Sequence, residues 1–402
     1  MKEMDKFEMT ATTAFGLEEV LAEELYNIGA ENIELGNKIV YFLGDNTVLY
    51  RANLELRTAI RVLIPQFYFK FRNEKELYEN IFDIDWQEIL NPNTTLAINS
   101  AVKSEKYTNS NFISLKVKDA IVDKLRSHYG KRPNIDLENP YLRLHIFIIN
   151  DSCTISFDSS GESLHKRGYR TEQGAAPMNE TLAAGMILIS GWDGQSNFVD
   201  PMCGSGTILM EAASIAYNIA PGKNRSHFGF MNFPDYDEAL WNKIKEDAIS
   251  REREFKFKIF GSDADKSAIK NAKANIINAN FAWKIIVRNK DFFEYSKEFL
   301  IENELLADNE NVATIMMNPP YGERISQDDI EVFYEKIGDT LKQNFTGYNA
   351  WIISSNKPAL KKLGLRTSKK LTLFNAGLEC KFHKYELYTG SRKSKYNLTE
   401  EN

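Results

Sequence analysis

The chain has 402 residues, 43% of them hydrophobic, enough apolar material for two or three separate cores. It holds no run of about 18 apolar residues, and the N-terminal MKEMDKFEMTATTAFG lacks the apolar stretch of a signal peptide, so a cytoplasmic location is expected. Three distant cysteines (Cys153, Cys203, Cys380) and five scattered histidines give neither a disulfide framework nor metal-ligand spacing, and the formal charge of −6 argues at first sight against a polyanionic partner.

In chain order, TAFGLEEVLAEELYNIG (13–29) predicts a helix, NKIVYFLG (37–44) a strand, and 47–61 a second helix. Residues 103–132 then carry eight Lys/Arg against three acids, so the charge is segregated and the acidic average hides a basic segment. Lys103, Lys106, Lys116, Lys118, Lys131 and Arg132 are candidates for phosphate contact; the plain alternative is a solvated helix face. YLRLHIFIIND and SCTISFDSS alternate apolar and polar residues and are expected to form a hairpin that closes an α+β module. The first half of ESLHKRGYRTEQGAAPMNETLAAGMILIS reads as a linker, and a helix starts near Asn179 or Glu180.

From about residue 196, short apolar runs alternate with helical patterns, the signature of a doubly wound parallel sheet. The strands are NFVD (197–200), KFKIFGSD (256–263), IIVRNKD (285–291), VATIMMNPP (312–320) and AWIISSN (350–356); KKLTLFN and KFHKYELY suggest a closing antiparallel pair. Helices are expected at 207–220, 266–280 and 328–345, and a long insert (about 223–255) precedes the second strand. A second basic segment, 361–395, holds ten Lys/Arg against two acids.

Three motifs lie where such a sheet binds ligands. DPMCGSGT (200–207) joins a strand to a helix, and Gly204 and Gly206 allow a ligand close to the backbone at a helix N-terminus. It lacks the GK[ST] of a phosphate-binding Walker loop, and in isolation it could be a tight turn with Asp200 as cap. GSDAD ends the second strand with Asp263, where nucleoside-binding sheets accept from ribose hydroxyls; Asp291 ends the third, placed to accept from an adenine amine, with Phe292 expected beside the ring. NPPY (318–321) follows the fourth strand directly, and its two prolines cannot continue it. An aromatic exocyclic amine is a poor nucleophile because its lone pair is delocalised. If the Asn318 side-chain oxygen and the Pro319 carbonyl accept its two hydrogens, the nitrogen is drawn toward tetrahedral geometry. Pro320 completes the turn, and Tyr321 can stack on an extruded base. Cys203 invites comparison with carbon-directed pyrimidine methyltransferases, but its place in the glycine loop points to packing.

On TAFGLEEVLAEEL, KVKDAIVDKLR with KRPNID, LHKRGYR, APMNETLAAGM, DPMCGSGTILMEAA, GSDAD and NPPYGER, the chain resembles nearly end to end the THUMP-domain guanine-N2 methyltransferases of 23S rRNA, the RlmL-like (YpsC-type) group. The resemblance implies an α/β protein: a ferredoxin-like subdomain (1–60) and an RNA-gripping THUMP domain (61–160), a linker (161–180), and a class I, Rossmann-like methyltransferase domain (181–395). It implies S-adenosylmethionine as cofactor, with Asp200, Pro201, Cys203, Gly204, Ser205 and Gly206 lining the loop. Asp263 and Ala264 would lie at the ribose, Asp291 and Phe292 at the adenine, and Met178, Asn179, Glu180 and Thr181 over the methionine end. Asn318, Pro319, Pro320 and Tyr321 would hold the target amine, and Lys166 and Arg167 join the RNA-facing candidates. Some relatives are fused to a second methyltransferase domain; this chain ends after a short polar tail, so a single activity on ribosomal RNA is expected, with no metal and no membrane. Adenine-N6 methylation and a non-catalytic ribosome-assembly role are the alternatives, and guanine is favoured over adenine by the resemblance alone.

Overall fold

The computed structural model describes residues 6–170, 178–306, 312–321 and 327–388. They form two compact units whose borders do not follow chain order. Residues up to 13, 21–166 and 221–248 make the first, and residues 14–20, 167–220 and 249 onward make the second.

The first unit is built on a mixed sheet of β1 (Phe7–Thr12), β2 (Glu31–Leu35), β3 (Ile39–Gly44), β4 (Arg61–Lys70), β5 (Thr95–Lys103), β6 (Asn134–Ile135), β7 (Leu142–Ile149) and β8 (Ser152–Asp158). Its helices are α1 (Glu18–Asn27, whose start falls to the second unit), α2 (Asn46–Glu55), α3 (Glu74–Phe82) and α4 (Ser110–Tyr129). The strand order is β2-β3-β1-β4-β8-β7-β5-β6, with β5 parallel to β7 and β6 and the other pairs antiparallel. The alternating segments do form a hairpin, β7 with β8, in which Leu142, Leu144, Ile146 and Ile148 are buried. α4 carries much of the basic segment. It starts at Asn109, whose side chain accepts from the Phe112 N–H at 3.0 Å, and ends at Gly130 with φ of 71°. Ile113, Val117, Ala120, Ile121 and Leu125 repeat at helical spacing on its buried face.

Residues 221–248, legible in the sequence only as an insert, pack with this first unit. Phe228, Phe230 and Trp241 are buried with Tyr50 of α2, the Tyr50 and Phe230 rings stacked 4.5 Å apart. Arg225 donates to the carbonyls of Ser160, Glu162 and Ser163.

The second unit contains α5 (Glu180–Ser190), β9 (Phe198–Asp200) and α6 (Thr207–Ala216). After the excursion, most of which is α7 (Glu238–Ser250) and the coil before it, come β10 (Ile259–Asp263), α8 (Lys266–Asn278), β11 (Ile286–Asn289) and α9 (Lys297–Glu302). The chain continues with β12 (Thr314–Met317), α10 (Gln327–Asn344), β13 (Asn349–Ser354), α11 (Lys357–Lys362), β14 (Thr367–Asn375) and β15 (Leu378–Glu386). The order is β11-β10-β9-β12-β13-β15-β14; the first five are parallel, and β15 and β14 close the edge antiparallel. β9 and β12 are buried at every position, as befits parallel strands covered on both faces. Two strands are shorter than their apolar runs. β11 stops at Asn289, where Asn289 and Lys290 turn to bond the Asp263 carbonyl, and β12 stops at Met317 because the prolines lack the ladder donor.

Gly338 lies inside α10, where a Cβ would stand 1.9 Å from the Leu363 carbonyl oxygen just past α11. In an open helix, alanine is worth about 1 kcal/mol more than glycine; here it must displace backbone, at about 1–3 kcal/mol. Gly338→Ala is therefore expected to lower the urea midpoint at unchanged slope. A raised midpoint would show that helix propensity, and not this close approach, governs the position.

Candidate active site

Strand order reverses at β9, which pairs with β10 on one side and β12 on the other. Such a reversal opens a crevice beyond the carboxyl ends of the strands. Asp200 stands opposite Gly261 and Val199 opposite Ile315. Asp263 and Asn318 therefore both come level with the second residue after Asp200, about 6–7 Å further along the strand direction. The glycine loop begins between them.

The loop is tied at three points. Cys203 N–H donates to the Ser262 carbonyl at 2.9 Å, Gly206 N–H to the Cys203 carbonyl at 2.8 Å, and Gly204 N–H to Asp263 Oδ2 at 3.0 Å. Gly206 has φ of 86° and faces Ala272 on α8, so a side chain here would be strained. Among the described residues nothing lies within 4 Å of the place a Cβ on Gly204 would take. Pro201 and Ser205 offer their carbonyls to Ser262 Oγ (3.3 Å) and Asn275 Nδ2 (3.2 Å). Asn289 Nδ2 clamps the carbonyls of Asp263 and Ala264 at 2.8 and 2.9 Å.

The acids here are poorly satisfied. Asp200 is 1% exposed; Oδ1 accepts from Met202 N–H at 3.2 Å, and Oδ2 has no partner among the described residues. Burial raises its carboxyl well above the ordinary range. Asp263 is also raised by burial; each of its oxygens accepts one backbone N–H, from Asp265 and Gly204, leaving further lone pairs. At the start of α5, Asn179 caps the helix by accepting from Thr181 N–H at 2.9 Å. Glu180 is buried beside it, raised by desolvation, with Oε2 unpartnered. Arg170, given no role from sequence, gathers this corner: Nη2 reaches the Met178 carbonyl (2.9 Å), Glu180 Oε1 (3.2 Å) and Thr207 Oγ1 (3.0 Å).

At the tip of β12, Pro319 is buried and Asn318 and Tyr321 are half-buried. The Tyr321 hydroxyl donates to Asn318 Oδ1 and accepts from Asn375 Nδ2 at 3.5 Å, and burial raises the phenol above its ordinary range. Asn356 Nδ2 holds the Tyr321 carbonyl at 3.3 Å, and the Tyr334 hydroxyl holds that of Pro320 at 3.3 Å. Asn375 was legible only as the last residue of KKLTLFN, one of the two expected antiparallel strands.

Several expectations need correction. Phe292 is 2% exposed and packs among Phe293, Tyr295 and Phe345, so its ring belongs to the core and not beside an adenine. Asp291 lies two residues beyond β11 and caps a short turn, accepting from Phe293 N–H at 3.0 Å. Arg167 is 4% exposed, with Nε 3.4 Å from Glu211 Oε1 of α6; a buried, paired guanidinium cannot face phosphate. No correction falls on Cys203, expected to pack: it is buried, and desolvation pushes its thiol up, which disfavours nucleophilic attack. Lys166 is exposed and pairs with Glu162 at 2.6 Å.

The basic residues do not converge on one point. Lys103 ends β5, Lys106 precedes α4, Lys116 and Lys118 lie on α4, and Lys131 and Arg132 follow it. The 20-residue helix spreads them over about 30 Å. Lys118 and Arg132 have acidic neighbours, Asp119 at 3.0 Å and Asp123 at 3.9 Å. The end of the second basic segment, past residue 388, lies outside the described residues. Among the described residues no His, Cys, Asp and Glu group is disposed to hold a metal, and no helix is long and apolar enough to cross a membrane.

Three family models match in succession: an RlmL ferredoxin-like domain over residues 8–63, a THUMP domain over 71–158, and an RMKL-like methyltransferase domain over 167–384. A protein of Synechocystis sp. (strain ATCC 27184 / PCC 6803 / Kazusa) named "Putative RNA methyltransferase slr0064" is 41% identical over 383 residues, 94% of this chain and 96% of the relative. The crystal structure of SMU.472 complexed with SAH aligns over 97% of this chain and all of the other, at 30% identity and a TM-score of 0.82. A structure from Listeria monocytogenes str. 4b F2365, described as "a predicted N6-adenine-specific DNA methylase", aligns over 95% of this chain and 97% of the other, at 30% identity and a TM-score of 0.78. With these matches covering both units, the chain belongs to the RMKL-like methyltransferase family, in the form that carries RlmL ferredoxin-like and THUMP domains ahead of the methyltransferase domain.

Proposed function

We propose that this protein is an S-adenosylmethionine-dependent methyltransferase acting on the exocyclic N2 amine of a guanine in 23S ribosomal RNA. One observation carries the reading: NPPY stands at the tip of β12, beside the glycine loop, at the reversal of strand order. The residues present fit the cofactor. Asp200 Oδ2 and Glu180 Oε2 are buried carboxylate oxygens without a partner, suited to the ammonium of the methionine end, and the space over Gly204 leaves room for a ligand. Asp263 keeps lone pairs for the ribose hydroxyls, and Asp291 would accept from the adenine amine. The SAH in the SMU.472 structure is the demethylated product of this cofactor, which supports the assignment. When bound, the cofactor supplies an electrophilic methyl group on a sulfonium.

The chain's own residues then have one task, to make an amine nucleophilic. Asn318 Oδ1 and the Pro319 carbonyl accept its two hydrogens, and Tyr321 offers a ring face to the extruded base. A strong base is unnecessary, since the proton becomes acidic only once nitrogen has gained the methyl group. Residues 1–60 and 61–160 would grip RNA, 161–180 would link, and 181–395 would transfer; the THUMP match and the name of the Synechocystis relative support an RNA substrate. Adenine-N6 is the second reading, favoured by the Listeria relative's name and by the suitability of NPPY for either amine. Mass-spectrometric mapping of methylated bases in rRNA from a strain lacking the protein decides between them: loss of an N2-methylguanine supports the first, and loss of an N6-methyladenine replaces it.

Three outcomes are expected. Asn318→Ala removes one preorganised acceptor, so single-turnover methyl transfer should fall about 10²–10³-fold while affinities for cofactor and RNA change little; near wild-type transfer would reduce NPPY to a structural turn.

Asp200 binds a cation better once ionised, and burial raises its pKa, so cofactor affinity should climb as pH rises through a range above that of ordinary aspartates. Calorimetry across pH should show this climb in the wild type and a shallower one, left to Glu180, in Asp200→Asn. Equal profiles would place the ammonium elsewhere.

RNA affinity should fall linearly with the logarithm of salt, and replacing Lys103, Lys116 and Lys118 together by Gln should flatten that line by about 2–3 units of slope. Parallel lines would leave these lysines as a solvated face.

A further inference from the structure

Asn375 ends β14 and is 9% exposed, yet among the described residues its Oδ1 has no hydrogen-bond partner. Its Nδ2 is the donor that reaches the Tyr321 hydroxyl at 3.5 Å. That hydroxyl has a single hydrogen, and the hydrogen goes to Asn318 Oδ1. The three side chains form a directed line: the Asn375 amide donates, the Tyr321 phenol accepts and donates, and the Asn318 amide accepts.

We infer that Asn375 is a positioning residue for methyl transfer, acting through the Tyr321 hydroxyl to orient the Asn318 side chain. This rests on the amine-holding role proposed above for Asn318. The torsion that turns an asparagine amide is soft and roughly two-fold, so packing alone barely decides whether Oδ1 or Nδ2 faces the acceptor base. The choice matters, because Oδ1 attracts an amine hydrogen and Nδ2 repels it. With Asn375 Nδ2 and Cys380 Sγ (4.0 Å) both donating into the phenol oxygen, its lone pairs are engaged and its hydrogen is left for an acceptor, so Asn318 turns Oδ1 toward it. An amide oxygen has two lone pairs. The phenol hydrogen engages one and so fixes the direction of the other, the one left for the target amine. Tyr321 thus has a role besides stacking, one that Phe at this position lacks.

The test is single-turnover transfer with full-length protein and rRNA, beside cofactor calorimetry, RNA retardation and thermal melting. Asn375→Ala and Tyr321→Phe should each slow transfer about tenfold, the loss of one hydrogen bond, with cofactor and RNA affinities unchanged. The double variant should be no slower than Tyr321→Phe alone. Asn375→Asp should be slower than Asn375→Ala, because a carboxylate draws the phenol hydrogen to itself and leaves a phenol oxygen that attracts Nδ2 of Asn318. In the Tyr321→Phe background, Asp and Ala at position 375 should be equal. Additive losses, wild-type rates for Asn375→Ala, or an Asp effect that persists in the Phe background would overturn the relay. If Asn318→Ala itself transfers normally, the amine-holding role fails instead. A variant that melts early is replaced by Asn375→Ser, expected to be as slow as Ala in the Tyr321 background and neutral in the Phe background.

Discussion

The second unit depends on one short strand. β9 has three residues, all buried, and it is the only place where the two halves of the parallel sheet share a ladder among the described strands. Its register with β10 and β12 brings Asp263 and Asn318 to one level on either side of the glycine loop. A shift of one residue on either side would turn each flanking side chain to the opposite face. The glycine loop and Asn318 are more than a hundred residues apart in sequence, yet a few backbone hydrogen bonds bring them together. The loop itself is then held by the acid expected to hold the ribose, since Asp263 Oδ2 receives the Gly204 N–H.

Around that edge, polar groups have been left unsatisfied inside the protein: Asp200 Oδ2, Glu180 Oε2, Glu211 Oε2 and Asn375 Oδ1. Each such group costs about 1–3 kcal/mol when buried, more than most surface substitutions. Buried acceptors without donors suit a ligand that brings donors or positive charge. Arg170 and Arg167 offset part of that cost through Glu180 and Glu211 and remain inside the fold.

Hydrophobic period made much of this legible. Parallel strands read as short apolar runs, the β7/β8 hairpin as alternation, and NPPY as a stop. What the sequence hid was burial decided by distant partners. KRGYR reads as a basic surface patch, yet Arg167 and Arg170 turn inward because α6 and α5 present Glu211 and Glu180. DFF gives two adjacent aromatics, and only the packing of Phe345 and Tyr295 shows that Phe292 is the inner one. Asn375 looked like any strand end because its partner, the Tyr321 hydroxyl, lies 54 positions away. The basic segment was legible as charge but not as shape, since its residues lie along and beyond a helix instead of around a point.

The excursion 221–248 bears on how the molecule comes into being. The first unit needs Phe228, Phe230 and Trp241 for its core around Tyr50, and these residues are made only after the first helices and strands of the second unit. During synthesis at about 5–20 residues per second, the N-terminal unit must therefore wait several seconds past residue 166 with that apolar pocket open. Nor does either unit correspond to one unbroken stretch of chain. A gene fragment starting at residue 167 would carry three large aromatics without the core that buries them.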